Sequence, residues 1–494
     1  MSKMILRELL RSAAVLGVRG DLGRDIRSLA YDSRQTQPDC LFFAIQGEHA
    51  DGHQFIQQAL EKGAAGIVSE RAAPVDFAAI WVQVPNIRKA LSEISRTFYA
   101  HPESKLKLVG ITGTNGKTTT AYLIRSILEA AGIKTGLLGT IEYSLGDRTI
   151  PALHTTPESL DLAGYLAELV QAGGQAAVME VSSHALAQGR TCGFPFQAAV
   201  FTNLTGDHLD YHKDMESYFA AKRRLFEGDG TPPPELGVIN LDDPWGRRLL
   251  ELNQPRQITY GIASDAQVKT KHSSFGPDGI RAILSTPEGK LEIESPLLGR
   301  ANLENILAAV AAAEGMGVSK EAIQKGIAAV RQVPGRFERV DEGQPFTVLV
   351  DYAHTHDALQ NALKTARELT RNQLIVLFGC GGDRDRTKRP LMGEVAGHLS
   401  DSVVLTSDNP RSEDPILIMN DVMVGLQKSG KPYIAEVDRE VAIRKALAQA
   451  HEGDLVLLAG KGHETYQVLK DRSIPFDDRE IARRILREMG FRRA

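Results

Sequence analysis

One segment, VGITGTNGKTTTAYLIRSILEAAG at residues 109–132, restricts the fold of this chain more than any other. An apolar strand passes through a glycine-containing turn into an amphipathic helix that begins near Lys117 and ends at Gly132. Free backbone N–H groups and the helix dipole make a helix N-terminus suitable for a polyphosphate. The segment therefore predicts a phosphate-binding loop made of Gly113, Thr114, Asn115, Gly116, Lys117, Thr118 and Thr119.

The spacing of this loop departs from the common pattern G-x-x-x-x-G-K-[ST], because Ile111 stands where the first glycine would be. We expect Lys117 to contact the β- and γ-phosphates of a nucleotide and the Thr118 hydroxyl to bind Mg²⁺. The alternative interpretation is a tight strand-to-helix turn with a surface lysine.

Alternation of strand-like and helix-like patterns continues along the whole chain. A prior of about 150 residues per domain gives roughly three domains for 494 residues. A small α/β domain is expected over 1–102, with HPESKLK as a linker, and further α/β domains over 103–335 and 336–494. Such alternation predicts βαβ units with largely parallel sheets. We thus expect a three-domain α/β protein in which a central P-loop-type ATPase sheet is flanked by an N-terminal α/β substrate domain and a C-terminal Rossmann-like domain.

The strand-like runs can be named individually. In the second domain they are LVGIT, TGLLGT, AAVMEVS, AAVFTNL and LGVINL; in the third they are FTVLV, QLIVLFG, DSVVLT, PYIAEV and DLVLLAG, each expected to precede a helix.

Composition excludes several classes of function. The net charge of −4 provides no general positive field for nucleic acid or an anionic membrane. Three widely separated cysteines, Cys40, Cys192 and Cys380, argue against a disulfide framework. No signal peptide and no apolar run of about 18 residues is evident. We expect a cytoplasmic monomer that binds small molecules, with neither a nucleic-acid partner nor a membrane span.

Two loops follow neighbouring strands of the second domain. AAVMEVSSHAL ends an apolar run at Glu180, and NLTGDHLDYH supplies Asp207, His208, Asp210 and His212. Each could be a solvated acid or an incidental loop histidine. Because the carboxyl ends of parallel strands share one edge, these residues should lie near the phosphate loop, where Mg²⁺ needs oxygen ligands.

Four polar segments of the third domain also follow predicted strands: DYAHT, GCGGDRDRTKR, SDNPR and GKGHE. In a parallel sheet all four face one crevice. That crevice would contain Arg384, Asp408, Asn409, Arg411 and Glu464. The mixture fits a zwitterion, since arginine grips carboxylates through paired N–H groups while the acids accept an ammonium.

The segment GITGTNGKTTT resembles the ATP loop of the Mur ligases, the cytoplasmic enzymes that add amino acids during peptidoglycan synthesis, and the three-domain layout is similar. The resemblance implies that ATP phosphorylates a carboxylate and that an amine then attacks the acyl phosphate. It implies catalytic roles for Lys117, Glu180, His208 and Lys222, with Thr118, Glu180 and His208 as magnesium ligands. It also implies that Lys222 is carbamylated, although a Lys-Arg-Arg run read alone is more typical of a solvated helix face.

The same resemblance assigns further binding residues. For ATP they are Asn302, Asn305, Arg336 and Asp351, although a helix-cap interpretation of Asn302 is nearly as good. For the UDP-sugar peptide they are Tyr31, Ser33, Glu48, His49, Ala50, Thr155, Thr156, Ser182, Gln188 and Arg190. For diaminopimelate they are Arg384, Asp408, Asn409, Pro410, Arg411, Gly460 and Glu464. The chain has His356 where the family has a proline, which should loosen that loop.

The motif Asp-Asn-Pro-Arg at 408–411 resembles the family members that add meso-diaminopimelate, whereas lysine-adding relatives lack the arginine. We expect Arg411 to pair with the far carboxylate of diaminopimelate and not with Glu413 or Asp414. The expected substrates are UDP-N-acetylmuramoyl-L-alanyl-D-glutamate, meso-diaminopimelate and ATP. Alternatives are a lysine-adding ligase, a folate polyglutamate ligase lacking about 100 residues before the ATP loop, and a nucleotide-binding regulator without chemistry.

Overall fold

The computed structural model describes residues 3–47, 50–252 and 254–492. Its main sheets have five, eleven and six strands and lie in consecutive parts of the chain. This is the three-domain α/β architecture that the sequence predicts. None of the helices in the described part is both long and apolar enough to span a membrane.

The N-terminal part contains the five-stranded sheet, in the order β2-β7-β6-β5-β4. The strands of this part of the chain are β1 Met4–Ile5, β2 Gly17–Arg19, β3 Asp25–Ile26, β4 Ser28–Ala30, β5 Cys40–Phe43, β6 Ala64–Ser69 and β7 Ile80–Gln83. Strands β1 and β3 form a separate two-stranded sheet. The helices of this part are α1 Leu6–Leu10, α2 Ile56–Glu61 and α3 Ile87–Phe98. Strands β4 to β7 are parallel, as expected for βαβ units, and β2 is antiparallel to β7.

The segment interpreted as a linker, HPESKLK, is ordered. It forms a 3-10 turn over Pro102–Lys105. Glu103 is almost completely buried and accepts a hydrogen bond from Arg96 Nε at 2.9 Å. The boundary placed at 102/103 stays a prediction, as does the one at 335/336.

The central part contains the eleven-stranded sheet. Its strands are β8 Lys107–Thr112, β9 Thr135–Leu138, β10 Glu142–Ser144, β11 Thr149–Pro151, β12 Ala176–Glu180, β13 Ala198–Phe201, β14 Leu236–Asn240, β15 Arg256–Gly261, β16 Val268–Gly276, β17 Gly279–Thr286 and β18 Gly289–Ser295. Its helices are α4 Lys117–Ala130, α5 Ser159–Gln171, α6 Ser183–Ala187, α7 Leu209–His212, α8 Met215–Glu227, α9 Pro244–Leu249, α10 Arg300–Gly315 and α11 Lys320–Ala329.

The order of the central sheet is β11-β10-β9-β12-β8-β13-β14-β15-β16-β17-β18. The five strand-like runs of this part are confirmed as β8, β9, β12, β13 and β14, which are parallel neighbours. The remaining strands were not named from the sequence; they extend the sheet at both edges. The carboxyl ends of β8, β12 and β13 consequently lie side by side.

The C-terminal part contains the six-stranded sheet, in the order β19-β20-β24-β21-β22-β23. The strands of this part of the chain are β19 Glu338–Val340, β20 Thr347–Asp351, β21 Leu374–Phe378, β22 Ser402–Thr406, β23 Tyr433–Glu436, β24 Leu455–Ala459, β25 Tyr466–Val468 and β26 Ser473–Pro475. Strands β25 and β26 form a separate two-stranded sheet. The helices of this part are α12 His356–Leu369, α13 Lys388–Leu399, α14 Pro415–Lys428, α15 Arg439–Ala448 and α16 Asp478–Glu488.

The C-terminal sheet is doubly wound. Helices α12, α13 and α14 contribute to the apolar core on one face, and α15 and α16 contribute to the core on the other. Strands β20, β24, β21, β22 and β23 are parallel. The expectation of a helix after every strand is wrong for β24, which is followed by the β25–β26 hairpin before α16 begins. That hairpin covers the crevice edge, since Val468 N donates to Asn409 Oδ1 at 2.9 Å.

Candidate active site

The phosphate loop joins β8 to α4 and depends on two glycines. Gly113 has φ +147° and Gly116 has φ +84°. A Cβ on Gly113 would lie 1.9 Å from Thr202 Oγ1, and one on Gly116 would lie 2.3 Å from Asn305 Oδ1. Gly116 caps α4 without a side chain. The first N–H groups of α4 therefore remain available for an anion.

Lys117 folds back over this loop. Its Nζ donates to the carbonyl oxygens of Gly113 at 2.9 Å and Thr114 at 2.8 Å. Burial lowers the pKa of Lys117, against the opposing influence of Glu180. The loop is braced from β13, because Asn115 N donates to Asn203 Oδ1 at 2.9 Å. Thr119 lies buried in the first turn of α4 and faces away from solvent.

Glu180 ends β12 and lies beside the start of α4. Its carboxylate accepts hydrogen bonds from Thr118 Oγ1 at 3.0 Å and from both N and Oγ1 of Thr140, at 2.8 and 3.0 Å. Arg336 Nη2 donates to Thr118 Oγ1 at 3.2 Å. Thr140 is a site residue that sequence reasoning missed; its only signal is that it is the last residue of the strand-like run TGLLGT.

The histidine loop lies at the same sheet edge. The ring of His208 lies 4.8 Å from that of His184 and 3.4 Å from the Asp207 carboxylate. Burial lowers the pKa of His208 to about 4, although Asp207 opposes this shift. His212 is buried with Nε2 2.9 Å from Ser183 Oγ, and burial lowers its pKa to about 4 as well. Both imidazoles are therefore neutral near pH 7 and able to serve as ligands or acceptors.

Lys222 is buried in α8, whereas Arg223 and Arg224 remain on the surface. Its Nζ donates to Gly113 O at 2.7 Å and lies 4.5 Å from the ring centre of Tyr218. Burial, reinforced by the charge of Lys117, holds the pKa of Lys222 far below its ordinary value. A solvated helix face therefore does not describe Lys222.

The residues assigned to the rest of ATP are placed around the same helix. Asn302 Nδ2 donates to Leu298 O at 2.9 Å, and Asn305 Nδ2 donates to Asn302 Oδ1 at 3.2 Å. Both asparagines are buried and connect α10 to α4, where Thr120 Oγ1 donates to Asn305 Oδ1 at 3.4 Å. Asn302 is the third residue of α10, whose N-cap is Gly299 with no side-chain cap hydrogen bond, so the helix-cap interpretation of Asn302 is wrong.

Arg336 and Asp351 lie where the central and C-terminal parts meet. The guanidinium of Arg336 stacks 4.7 Å from the ring centre of Tyr352. Asp351 accepts backbone hydrogen bonds from Phe337 and Ala353, both at 2.9 Å, and burial raises its pKa. Burial acts to raise the pKa of Asp207, but the charges of His208, His354 and Lys388 help to lower it. The strand ends of the central sheet and those of the C-terminal sheet therefore face each other.

Residues assigned to the sugar peptide form a connected group beside Glu180. Thr156 Oγ1 donates to Glu180 O at 2.9 Å and accepts from Ser182 N at 3.0 Å. Arg190 donates to Thr156 O and to Gln188 Oε1, both at 3.0 Å. Thr155 lies next to this group, and its Oγ1 can donate to Thr140 Oγ1, 3.1 Å away.

The N-terminal residues of the predicted sugar-peptide site are only partly connected to this group. The hydroxyl of Tyr31 donates to Asp161 of α5 at 2.5 Å, which joins the N-terminal part to the central part. Ser33 is buried and donates to Gln58 Oε1 at 2.7 Å. Ala50 is exposed. Glu48 and His49 lie outside the described residues.

The C-terminal crevice contains a tightly hydrogen-bonded pair of loops. Asn409 Nδ2 donates to Glu464 Oε2 at 2.8 Å. Lys461 is fully buried and donates to Glu464 Oε2 at 3.0 Å and Asn409 Oδ1 at 3.2 Å. Lys461 was missed by sequence reasoning although it lies in GKGHE. Asp408 Oδ2 is buried and has no hydrogen-bond partner among the described residues. It lies 2.8 Å from where a Cβ on Gly460 would be.

Arg411 is held in the left-handed backbone region, with φ +53°. Its Nη1 donates to Gly382 O at 2.8 Å. Glu413 is instead bound by Arg389, whose Nη2 donates to it at 2.8 Å. The carbonyl of Pro410 packs so closely on Gly382 that a Cβ there would lie 2.0 Å away. Arg411 is thus oriented through backbone carbonyls, and its guanidinium is not neutralised by the acids of its own loop.

Arg384 lies at the outer edge of the crevice. It is exposed, and its Nη1 donates to the carbonyl oxygen of Asp383 at 3.0 Å. Asp383 in turn accepts from Ser412 on the loop of Arg411, with 2.6 Å between Ser412 Oγ and Asp383 Oδ1. The loops after β21 and β22 are therefore joined, and Arg384 extends from them into solvent.

Three family models match consecutive parts of the chain. The model described as Mur ligase family, catalytic domain, matches residues 25–99. The Mur ligase middle domain matches residues 111–313, and the Mur ligase, glutamate ligase domain, matches residues 335–462.

Whole-length relatives are also similar to the chain. A UDP-N-acetylmuramoyl-L-alanyl-D-glutamate–2,6-diaminopimelate ligase of Solibacter usitatus is 54% identical over 94% of this chain and 94% of its own length. The ligase of the same name from Geobacter sulfurreducens is 48% identical over 97% of this chain and 98% of its own. A solved structure of such a ligase superposes with a TM-score of 0.69 at 32% identity and covers 99% of this chain and 100% of that one.

Proposed function

The chain belongs to the Mur ligase family, and on this premise we propose that it is an ATP-dependent ligase of peptidoglycan synthesis. It joins meso-2,6-diaminopimelate to the D-glutamate of UDP-N-acetylmuramoyl-L-alanyl-D-glutamate. Support for this acceptor comes from relatives named as diaminopimelate ligases, one of them 54% identical.

The proposal that the added amino acid is diaminopimelate rests on the charge arrangement of the C-terminal crevice. A buried oxygen of Asp408 lacks a partner among the described residues, and an ammonium group would satisfy it. Arg411 on the same loop offers its remaining N–H groups to a carboxylate. Diaminopimelate carries both groups at its second amino-acid centre, whereas lysine would leave the arginine unpaired.

The first chemical step is transfer of the γ-phosphoryl group of ATP to the substrate carboxylate. A carboxylate oxygen attacks phosphorus, the bond to the bridging oxygen breaks, and ADP leaves. Lys117 and the N–H groups of α4 stabilise the charge on the phosphates. Arg336 adds a positive charge through its contact with Thr118. The binding site for the rest of the nucleotide would be lined by Asn302, Asn305 and Asp351.

Mg²⁺ fits the donor set beside the phosphate loop. Carboxylate and hydroxyl oxygens are the hard ligands it prefers, and Glu180 and Thr118 supply them 3.0 Å apart. Neutral His208 would complete the protein ligands. The described residues contain no cluster of three or more His, Cys, Asp or Glu side chains that could hold a metal on its own. Substrate phosphates would therefore supply the other ligands of Mg²⁺. Bound Mg²⁺ would neutralise charge on the transferring phosphoryl group.

The burial of Lys222 favours the carbamylation that we propose for it. Only a neutral amine forms a bond to the carbon of CO₂, and it loses a proton as the carbamate forms. Burial and the charge of Lys117 lower the pKa of Lys222, which favours the neutral amine. The resulting anion would offset the charge of Lys117.

In the second step the diaminopimelate amine attacks the acyl carbon. The bond between carbon and the phosphate oxygen breaks, phosphate leaves, and the amine loses a proton. Thr155, Thr156, Ser182, Gln188 and Arg190 are proposed to hold the sugar peptide so that its carboxylate lies beside Glu180. Tyr31, Ser33, Glu48, His49 and Ala50 are proposed to hold the uridine diphosphate end.

We also propose a cytoplasmic monomer. Cys40, Cys192 and Cys380 are free, which agrees with a reducing compartment.

The experiment that tests the function is product identification. ATP, UDP-N-acetylmuramoyl-L-alanyl-D-glutamate and meso-diaminopimelate are mixed with the protein, and the UDP-linked tripeptide is sought by mass spectrometry. We expect the product, with ADP and phosphate, only when all three substrates are present, and none from Lys117→Ala. Absence of product from the wild-type protein, or full turnover by Lys117→Ala, would refute the proposal.

A further inference from the structure

A buried ion pair lies directly behind the crevice, between Arg439 at the start of α15 and Asp478 at the start of α16. Both side chains are completely buried. Arg439 Nε donates to Asp478 Oδ1 at 2.8 Å, and Nη2 donates to Oδ2 at 2.6 Å. Burial lowers the pKa of Arg439, but the charge and hydrogen bonds of Asp478 outweigh this and raise it. Two charges in the interior are costly unless well paired and hydrogen-bonded.

The other donors of Arg439 reach two strand ends. Nη2 donates to the carbonyl oxygen of Ala459 at 3.0 Å, and Nη1 donates to that of Ser407 at 3.3 Å. Ala459 ends β24 and immediately precedes Gly460. Ser407 follows β22 and immediately precedes Asp408. One guanidinium therefore spans the two backbone segments from which the proposed diaminopimelate contacts project.

The sheet itself does not join these two segments, because β21 lies between β22 and β24. The ladder between β21 and β22 ends at Phe378 and Leu405. Beyond it Gly379 approaches the backbone so closely that a Cβ there would lie 2.4 Å from Thr406 O. Buried carbonyl groups past the end of a ladder need another donor. Arg439 supplies that donor to both strands at once.

We propose that Arg439, oriented by Asp478, is a positioning residue for the amino-acid pocket. By bridging the ends of β22 and β24 it sets the separation between the Asp408 carboxylate and the loop that begins at Gly460. It acts from inside the protein and does not contact the substrate. This inference rests on the proposed function.

Two variants separate positioning from stability. Arg439→Lys keeps a cation beside Asp478 but replaces the planar fork with one ammonium group, which cannot span both carbonyls. The double variant Arg439→Met with Asp478→Leu removes both charges, and such exchanges for hydrophobic residues are often tolerated by the fold. Arg96→Met is the control, since it breaks another ion pair far from the crevice, between partly buried Arg96 of α3 and buried Glu103.

The readout is phosphate release, with KM measured separately for each of the three substrates and the melting temperature recorded for each variant. We expect the KM for diaminopimelate to rise about tenfold or more in both Arg439 variants, because small misplacements of binding groups are expensive. The KM values for ATP and the UDP-dipeptide should stay within about twofold. Arg96→Met should lower the melting temperature and leave the KM for diaminopimelate unchanged.

Three results would overturn the inference: an unchanged KM for diaminopimelate in a folded Arg439 variant, an equal rise of all three KM values, or failure of both variants to fold, which would assign the pair to stability alone. Wild-type turnover is measured first. Its absence would refute the proposed function, whereas wild-type turnover with unaffected variants would refute only the positioning role.

Discussion

Replacement of Arg411 by alanine or glycine separates what its side chain does from what its backbone does. Arg411 has φ +53°, a conformation that costs a non-glycine residue about 1–2 kcal/mol. Alanine keeps that strain and removes the guanidinium. Glycine removes both, so Arg411→Gly should be about 1 kcal/mol more stable than Arg411→Ala.

The expected effect on activity follows from the contacts of the guanidinium. Nη1 is engaged with Gly382 O at 2.8 Å, which leaves the other N–H groups for a substrate carboxylate. Hydrogen bonds to charged groups contribute about 1.5–3 kcal/mol each, so loss of two weakens diaminopimelate binding by about 3 kcal/mol or more. That corresponds to a rise in KM of roughly 100-fold. The KM for ATP should be unchanged in both variants.

The assay is phosphate release with ATP and UDP-dipeptide saturating and diaminopimelate varied, together with urea unfolding of both variants. An equal rise of the KM for diaminopimelate in Arg411→Ala and Arg411→Gly, despite their different stabilities, would assign the effect to loss of the guanidinium. Recovery of activity by Arg411→Gly would show that loop conformation controls binding. A wild-type KM for diaminopimelate in both variants would refute the contact altogether.

Three further predictions concern the central part. Glu180→Gln should leave folding intact, because the amide can still accept from Thr140, but should raise the Mg²⁺ concentration needed for half-maximal phosphate release; an unchanged requirement would remove Glu180 from the metal site. Gly113→Ala places a Cβ 1.9 Å from Thr202 Oγ1 and should destabilise the protein by about 1–3 kcal/mol and stop turnover; a wild-type melting temperature would contradict this packing. The pKa of the buried His212 falls from 6.5 to about 4 on folding. Because the unfolded chain therefore binds this proton more readily, the stability that neutral His212 contributes is complete above about pH 6.5 and is lost as the pH falls towards 4. At about 1.4 kcal/mol per pKa unit this loss is at most about 3 kcal/mol, and His212→Gln should flatten the melting temperature across that pH interval; an identical profile in both proteins would show that another group titrates.

The sequence predicted the buried parallel strands well for a physical reason. Strands covered on both faces are continuous apolar runs, as in β12 and β24, and they stand out between helical patterns. The edge strands β15 to β18 were missed. In β17 the buried residues Ile280, Ala282 and Leu284 alternate with more exposed ones, which is the weaker signal of a strand covered on one face.

The site was predictable wherever a strand end coincided with a recognisable motif. That applies to Lys117, Glu180 and the 408–411 loop. Thr140 and Arg439 carry no such motif, and their importance comes from neighbours distant in the sequence. For example, Arg439 lies 39 residues from Asp478, and neither residue type nor spacing indicates that pairing. Such contacts follow only from the three-dimensional fold.

The preference of this ligase for diaminopimelate over lysine is measured by competition between the two amino acids. The ratio of their kcat/KM values in the wild-type protein is measured by phosphate release, with product masses identifying which amino acid was added. A pocket whose Arg411 requires a carboxylate should favour meso-diaminopimelate by about 10⁴-fold. Equal or faster use of L-lysine would refute the role of Arg411 in selecting the amino acid.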